Sequence, residues 1–340
     1  MRRRALVFTG PRRASVIDEE LGPPAPGQLL VATRVSAISS GTERLVYRGD
    51  FPADLPLDDT LPSLAAPAPG AAWSYPLRYG YAAVGRVVAA GDGVAAAWVG
   101  RRVFSFQPHG SAFLVAADEA WPVPNGIDDE KAALLANAET AVNVVLDAGP
   151  RVGERVAVFG QGVVGLLVTA LLARFPLQGL VAVDRLPARA ARGRALGAGL
   201  VVVVSAAAEA RAALGRDGAD LAIELTGNPA ALNDAIAVTG AEGRVVVGSF
   251  YGRKQSALDL GGHFHRGRLT IISSQVSRIG PALSARWDRA RRRDVAWELL
   301  ARTDTSGWIT HRFPIGQAEA AYARLDEDAP DMLQLLLTYE

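Results

Sequence analysis

The chain has 340 residues, 49% hydrophobic and 21% charged, an ordinary globular balance with length enough for two domains. Its 36 basic residues nearly cancel 35 acidic ones, and a net charge of +1 gives no reason to expect nucleic acid or an anionic membrane as partner. Cysteine is absent, which excludes disulfides, a thiolate nucleophile and every cysteine-bearing zinc site.

The start, Met1-Arg-Arg-Arg-Ala-Leu-Val-Phe, has basic residues but no long apolar core before Pro11, so it reads as a first strand rather than a signal peptide. No run of about 18 apolar residues predicts a membrane span, and a cytoplasmic protein is the default expectation. Residues 1–122 read as β-rich, with short apolar or alternating runs at 5–9, 28–38, 83–90, 102–106 and 112–115, separated by Gly and Pro clusters. Such spacing predicts a compact barrel-like β domain. Between residues 51 and 76 six prolines (52, 56, 62, 67, 69 and 76) preclude long regular structure and predict a lid or binding loop.

A helix is expected over 128–146. Beyond it, strands at 156–159, 180–184, 200–204, 221–225, 244–248 and 269–273 alternate with helices, one marked by Asn228 as N-cap and Pro229 at its first position. The alternation predicts a parallel, doubly wound sheet. The tail holds a helix (317–325) and a final apolar strand (333–339), which does not extend the alternation and is expected to return to the first domain. The expected division is therefore 1–122 with 276–340 as a catalytic domain and 123–275 as a nucleotide domain.

The central motif is Val156-Ala-Val-Phe-Gly-Gln-Gly-Val-Val-Gly165, a strand running into a glycine turn and then a helix. Gly160 permits the turn, Gly162 lets backbone approach a pyrophosphate, and Gly165 lets helix and strand pack closely. The backbone of Gln161, Val163 and Val164 completes the phosphate cradle at the helix start. Leu180-Val-Ala-Val-Asp184 supplies the next strand and ends in a carboxylate 19 residues after Gly165, where ribose hydroxyls belong. A carboxylate there repels a 2′-phosphate, so NAD is favoured over NADP. Arg185 and Arg189 beside it either stack on adenine or admit a phosphate. Thr226 with Gly227, and Val247 with Gly248, follow strand ends, where such sheets bind ligands.

These features together resemble the medium-chain dehydrogenase/reductase superfamily, of the alcohol dehydrogenase kind, over nearly the whole chain. Ser40-Gly-Thr-Glu-Arg-Leu-Val-Tyr-Arg-Gly-Asp-Phe-Pro52 is similar to the family's Cys-Gly-Thr/Ser-Asp segment, Gly80-Tyr-Ala-Ala-Val-Gly to its Gly-His-Glu segment, and Gly100-Arg-Arg-Val103 to its Gly-Asp-Arg-Val turn. The tail His311-Arg-Phe-Pro-Ile is similar to the family's usual entry into its last helix. Gln161, Glu139-Thr-Ala-Val-Asn143, Phe106-Gln-Pro-His109 and Ser273-Ser-Gln-Val-Ser277 resemble the branch typified by bacteriochlorophyllide a dehydrogenase. The resemblance implies a GroES-like catalytic domain, a Rossmann domain, a substrate cleft between them, and a homodimer through the strand at 269–273. Where zinc-dependent relatives carry their catalytic ligands, this chain has Ser40, Tyr81 and Ala136, and the four-cysteine structural lobe is missing. Such residues cannot hold zinc against water, so a zinc-independent enzyme is expected.

Without zinc, a side chain must polarise the reacting oxygen and move one proton. Tyr81 either does this or fills space left by the metal. His109 has the most suitable intrinsic pKa, although a lone histidine is more often structural. Thr42 matches the family's proton-relay hydroxyl and Ser40 lies near it; both residues also close turns. Thr140 matches a family position touching the nicotinamide, while Glu139 is either a buried general base or a solvated helix acid, and Asn143 stabilises that helix. His263 and His265, two apart as on one face of a strand, lack a third ligand, so no metal site is expected. The arginines at 286, 289, 291, 292 and 293 read as a solvated helix face, with an acidic substrate group as the alternative. Three functions stay open: an NAD-dependent alcohol/carbonyl oxidoreductase, an NADPH-dependent enoyl or quinone reductase, and a non-catalytic nucleotide-binding protein.

Overall fold

The computed structural model describes residues 1–52, 73–203, 207–215 and 217–340; most of the proline-rich stretch, and the end of the strand expected over 200–204, lie outside them. The chain divides into two compact units, Met1–Ala136 with Asp304–Glu340, and Asn137–Thr303. The helical stretch 289–302 stays with the second unit.

In chain order the first unit begins with β1 (Arg2–Gly10), β2 (Arg13–Glu20), β3 (Gln28–Ile38), α1 (Thr42–Arg48), β4 (Ala83–Ala90), β5 (Arg102–Ser105), β6 (Ala112–Ala116), β7 (Trp121–Pro122) and α2 (Asp129–Ala132). The second unit follows with α3 (Leu135–Ala148), β8 (Arg155–Phe159), α4 (Val163–Leu172), β9 (Gly179–Asp184), α5 (Pro187–Ala195), β10 (Leu200–Val203), α6 (Ala207–Leu214), β11 (Ala219–Glu224), α7 (Ala231–Val238), β12 (Thr239–Val247), β13 (Thr270–Ser273) and α8 (Arg289–Arg302). The tail returns to the first unit as β14 (Ile309–Pro314), α9 (Ala318–Asp326) and β15 (Gln334–Thr338).

In the first unit β1 and β2 form an antiparallel ribbon, and a seven-stranded sheet runs β14-β15-β3-β4-β5-β7 with β6 also on β3. The expected barrel therefore takes the form of a largely antiparallel path whose ends, β14 and β7, do not pair with one another among the described residues. One core lies between β1, α1, α9 and β15, where Phe8, Tyr47 and Tyr322 meet edge on or tilted. Its apolar residues repeat at helical spacing in α9 (Ala318, Ala321, Tyr322, Leu325), so one stripe of that helix is buried.

In the second unit six parallel strands run β10-β9-β8-β11-β12-β13, so the order reverses direction between β8 and β11. The interior strands β8, β9 and β11 are almost continuously buried, as strands covered on both faces must be. The expected long helix over 128–146 is two helices, α2 capped by Asp128 and then α3. The helix expected from Asn228 and Pro229 starts at Ala231, and the Asn228 Oδ1 instead accepts from the Ala230 N–H, closing a turn before it. His263 sits in a single π-helical turn, Leu260–Phe264, with His265 as its cap, rather than on a strand; its Nε2 meets the Thr239 carbonyl oxygen at 2.6 Å. Among the described residues no helix is long and apolar enough to cross a membrane.

Candidate active site

The glycine turn leaves β8 and enters α4 as the motif requires. Gly160 has φ +90°, and a Cβ on it would sit 2.8 Å from the Leu225 carbonyl carbon. A Cβ on Gly165 would lie 1.8 Å from the Gly160 carbonyl oxygen, so only glycine allows α4 to start there. Gly162, the N-cap of α4, faces open space, and the first N–H groups of that helix have no side-chain cap. A helix start of this kind, uncapped by side chains among the described residues, suits an anion.

Asp184 ends β9, 8% exposed, and reaches back to the turn: its carboxylate accepts the Gln161 N–H at 2.6 Å and the Leu186 N–H at 2.8 Å. Each oxygen keeps a second lone pair for a further donor. Arg185 is exposed and Arg189 half-buried at the start of α5. The Gln161 side chain turns away from the turn: it is wholly buried, its Nε2 donating to the Val158 carbonyl (3.2 Å) and its Oε1 accepting from Thr169 (3.1 Å). Only its backbone belongs to the turn.

At the carboxyl ends of β11 and β12, Thr226, Val247 and Gly248 come together around a residue that sequence reasoning missed. Glu224, fully buried, accepts from the Thr226 N–H (2.7 Å), the Thr226 hydroxyl and the Tyr251 hydroxyl (2.5 Å). Gly227 is held by the Ser249 hydroxyl oxygen (2.9 Å) and by Lys254, whose Nζ donates to its carbonyl at 2.8 Å. The signal available in sequence was the acid at the end of a predicted strand.

Thr140 is half-buried on α3. Its neighbour Glu139 is no solvated acid: it is 3% exposed, paired with the 4% exposed Arg292 of α8 at 3.6 Å. Burial pushes its carboxyl up while Arg292 and Arg293 pull it down, and the net direction is upward. Arg292 also donates to Asn143 Oδ1 (2.9 Å), and Asn143 donates to Asp147 (2.9 Å). The arginine run is therefore not uniformly a solvated face: Arg292 turns inward to α3, Arg289 donates to the Ser277 carbonyl (2.7 Å), and Arg291 lies 4.2 Å over the Trp287 ring.

In the first unit Ser40, Thr42 and Tyr81 stand half-buried at the start of α1 and before β4. The Tyr81 hydroxyl shares hydrogen bonds with the Ser39 and Thr42 side chains; burial first, and then the Glu43 carboxylate, push it up to about 12. His109 takes the interior position that the structural alternative allowed. It is 1% exposed, with Nδ1 2.6 Å from the Ser36 hydroxyl and Nε2 2.8 Å from Glu43. Glu43, unassigned from sequence, also accepts from Tyr322 and from the Ser39 N–H (2.9 Å). Ala136, where the family resemblance implied a third zinc-ligand position, is buried at the start of α3.

A family model described as zinc-binding dehydrogenase matches residues 163–292. The chain is 26% identical over 308 residues to D-guloside 3-dehydrogenase of Escherichia coli, covering 87% of each chain. It is 27% identical to 2-desacetyl-2-hydroxyethyl bacteriochlorophyllide A dehydrogenase of Cereibacter sphaeroides, covering 100% of this chain and 99% of the other. The Escherichia coli alcohol dehydrogenase RspB, solved with NADH, superposes with a TM-score of 0.78 at 20% identity over 99% of both chains. These similarities point to the same kind of protein, the zinc-binding dehydrogenases and their medium-chain relatives, and the fold is theirs. The chain has the α/β fold of medium-chain dehydrogenases, a six-stranded parallel sheet in one unit and a largely antiparallel sheet in the other.

Proposed function

We propose that this chain is a medium-chain dehydrogenase/reductase that transfers a hydride between NAD(H) and an alcohol/carbonyl substrate without catalytic zinc. The observation that carries the reading is the open glycine turn closed on one side by Asp184. When bound, the nicotinamide supplies or accepts the hydride. The turn's backbone at Gly160, Gly162, Val163 and Val164 would hold the pyrophosphate, and Asp184 the adenosine ribose hydroxyls. Arg185 and Arg189 would flank the adenine, and Thr140, Thr226, Val247 and Gly248 the nicotinamide half. The names of the two curated relatives fit an alcohol/carbonyl pair.

The donor set argues against zinc. Ser40 and Tyr81 offer neutral hydroxyls and Ala136 offers a methyl group, whereas zinc sites use thiolate, imidazole or carboxylate. The proton must then come from the chain. Tyr81, with its hydroxyl pushed up to about 12, stays protonated at neutral pH and donates to a carbonyl oxygen as that oxygen gains charge. Thr42 and Ser40 hydroxyls orient the same oxygen. An NADPH-dependent enoyl or quinone reductase is the weaker reading, because Asp184 opposes a 2′-phosphate. A homodimer through β13 belongs to the same proposal.

Nicotinamide fluorescence titration tests the cofactor, with NADH expected to bind about tenfold or more tightly than NADPH, a difference of about 1.4 kcal/mol. Metal analysis of the active protein tests the zinc. Tighter NADPH binding, or stoichiometric zinc whose chelation abolishes turnover, sinks the proposal.

A further inference from the structure

Glu43 lies at the centre of a buried polar cluster that the chemistry above does not use. It is 0% exposed, on the first turn of α1, and all its visible partners are donors from other segments. The Ser39 N–H reaches Oε1 at 2.9 Å, while Tyr322 of α9 and His109 Nε2 (2.8 Å) both meet Oε2. The far ring nitrogen of His109 meets the Ser36 hydroxyl of β3 at 2.6 Å, and that hydroxyl meets Tyr339, just after β15, at 2.7 Å. Serine, histidine and glutamate are in hydrogen-bond sequence here, as in a hydrolase triad. Ser36 is 0% exposed, however, so no substrate carbonyl reaches it.

What the cluster does reach is Tyr81. His109 packs beneath the preceding residue: Gly80 has φ +129°, and a Cβ there would fall 2.7 Å from His109 Cδ2 and 2.9 Å from Nε2. Ser39, whose backbone Glu43 holds, bonds the Tyr81 hydroxyl through its side chain. One carboxylate thus fixes both ends of Tyr81, the backbone entry through His109 and the hydroxyl through Ser39. We propose that Glu43 is the positioning residue of the site, holding Tyr81 in place through His109 and Ser39. The proposal rests on the reading of Tyr81 as the proton donor for its functional meaning, but its physical content stands apart from turnover.

Among the described residues, the groups facing Tyr81 include the Ser39 and Thr42 hydroxyls that bond its own. Glu43 is the acid; Tyr79 meets the ring edge on at 6.0 Å; Tyr322 and Tyr339 belong to the cluster behind it, both with hydroxyls pushed up by burial. The α1 arginines turn elsewhere, Arg44 to Asp328 at 2.8 Å and Arg48 to Asp326. A buried negative charge beside a phenol disfavours the phenolate, and removing it makes the phenol more acidic.

The test places 3-fluorotyrosine at position 81 of the full-length protein, lowering the titration into an accessible range, and follows it by fluorine NMR. In Glu43→Gln the midpoint is expected to fall by about one pH unit, tenfold in acidity. In Ser39→Ala, which loses a hydroxyl that favours the phenolate, it is expected to rise. Should Glu43→Gln fail to fold by circular dichroism, Ser39→Ala decides. Midpoints coinciding with wild type in the folded variants overturn the proposal. Absence of any NADH-linked turnover defeats the proposed activity instead, and leaves these titrations to be judged alone.

Discussion

Gln161 holds the second place of the glycine turn, yet its side chain points into the interior between α4 and the sheet. The space it needs is kept by Gly193 of α5, where a Cβ would lie 2.8 Å from Gln161 Oε1. Its carbonyl is satisfied by Thr169, itself 0% exposed. Thr169→Val should leave that oxygen buried without its donor and cost about 1–3 kcal/mol, whereas Gln161→Leu with Thr169→Val should recover much of the loss. Urea denaturation of the two single variants and the double variant measures the coupling, and strict additivity would show that the pair does not interact as described. Sequence alone could not see this: the motif fixes where the glycines go, but nothing local says which way the residue between them faces. Asp184 was legible because its place depends on spacing from the turn. Glu43 was not, because apart from Ser39 its partners lie at positions 109 and 322, and no local spacing links them.

At the scale of elements, the parallel strands were legible because burial on both faces leaves an apolar run bounded by turns. The missed ones have reasons. In β2, Arg13–Glu20, mostly polar residues pair with β1 at the surface, and β14, Ile309–Pro314, is only partly buried. The arginine-rich start of α8 misled in the opposite direction, since a charge run normally marks a wet face and here Arg292 meets a buried acid. A second ion pair ties the entry of β8 to β12. Arg244 donates to both oxygens of Glu154, at 2.7 and 2.8 Å, and to the carbonyls of Ala148 (2.8 Å) and Gly149 (3.0 Å). Burial alone would raise the Glu154 carboxyl, but the Arg244 fork and the Arg151 N–H outweigh it and hold it below the ordinary range. A carboxyl lowered in the folded state contributes stability that is present above its unfolded value near 4.3 and is lost as pH falls through the lower folded value. Glu154→Gln should therefore cost about 1–2 kcal/mol at pH 7, and the gap to wild type should close in acid below about pH 4. A gap that stays constant in denaturant titrations from pH 7 into acid would rule this out.

The whole molecule is discontinuous in one unit and continuous in the other, and that asymmetry has thermodynamic consequences. The second unit, Asn137–Thr303, draws all six of its parallel strands from one stretch of chain. The first needs its tail: β15 lies between β14 and β3, with Leu335, Leu336 and Leu337 each 0% exposed and the Gln334 side chain donating to the Ile38 carbonyl at 2.8 Å. Tyr322, which holds Glu43, comes from the same tail. Burying a leucine is worth about 1.5–3 kcal/mol, so three such residues account for about 5–9 kcal/mol, comparable with the total stability of a typical domain. A fragment of residues 135–303, with α3 whole, is accordingly expected to fold alone and to bind NADH within about tenfold of the full chain, since every residue proposed to hold the cofactor lies within it. A fragment of residues 1–136 is expected to stay unfolded until a second fragment, residues 304–340, is added. Circular dichroism of each fragment and NADH fluorescence of the first decide both points. A cooperative thermal transition from residues 1–136 alone would mean that the returning strand decorates the sheet rather than completing it.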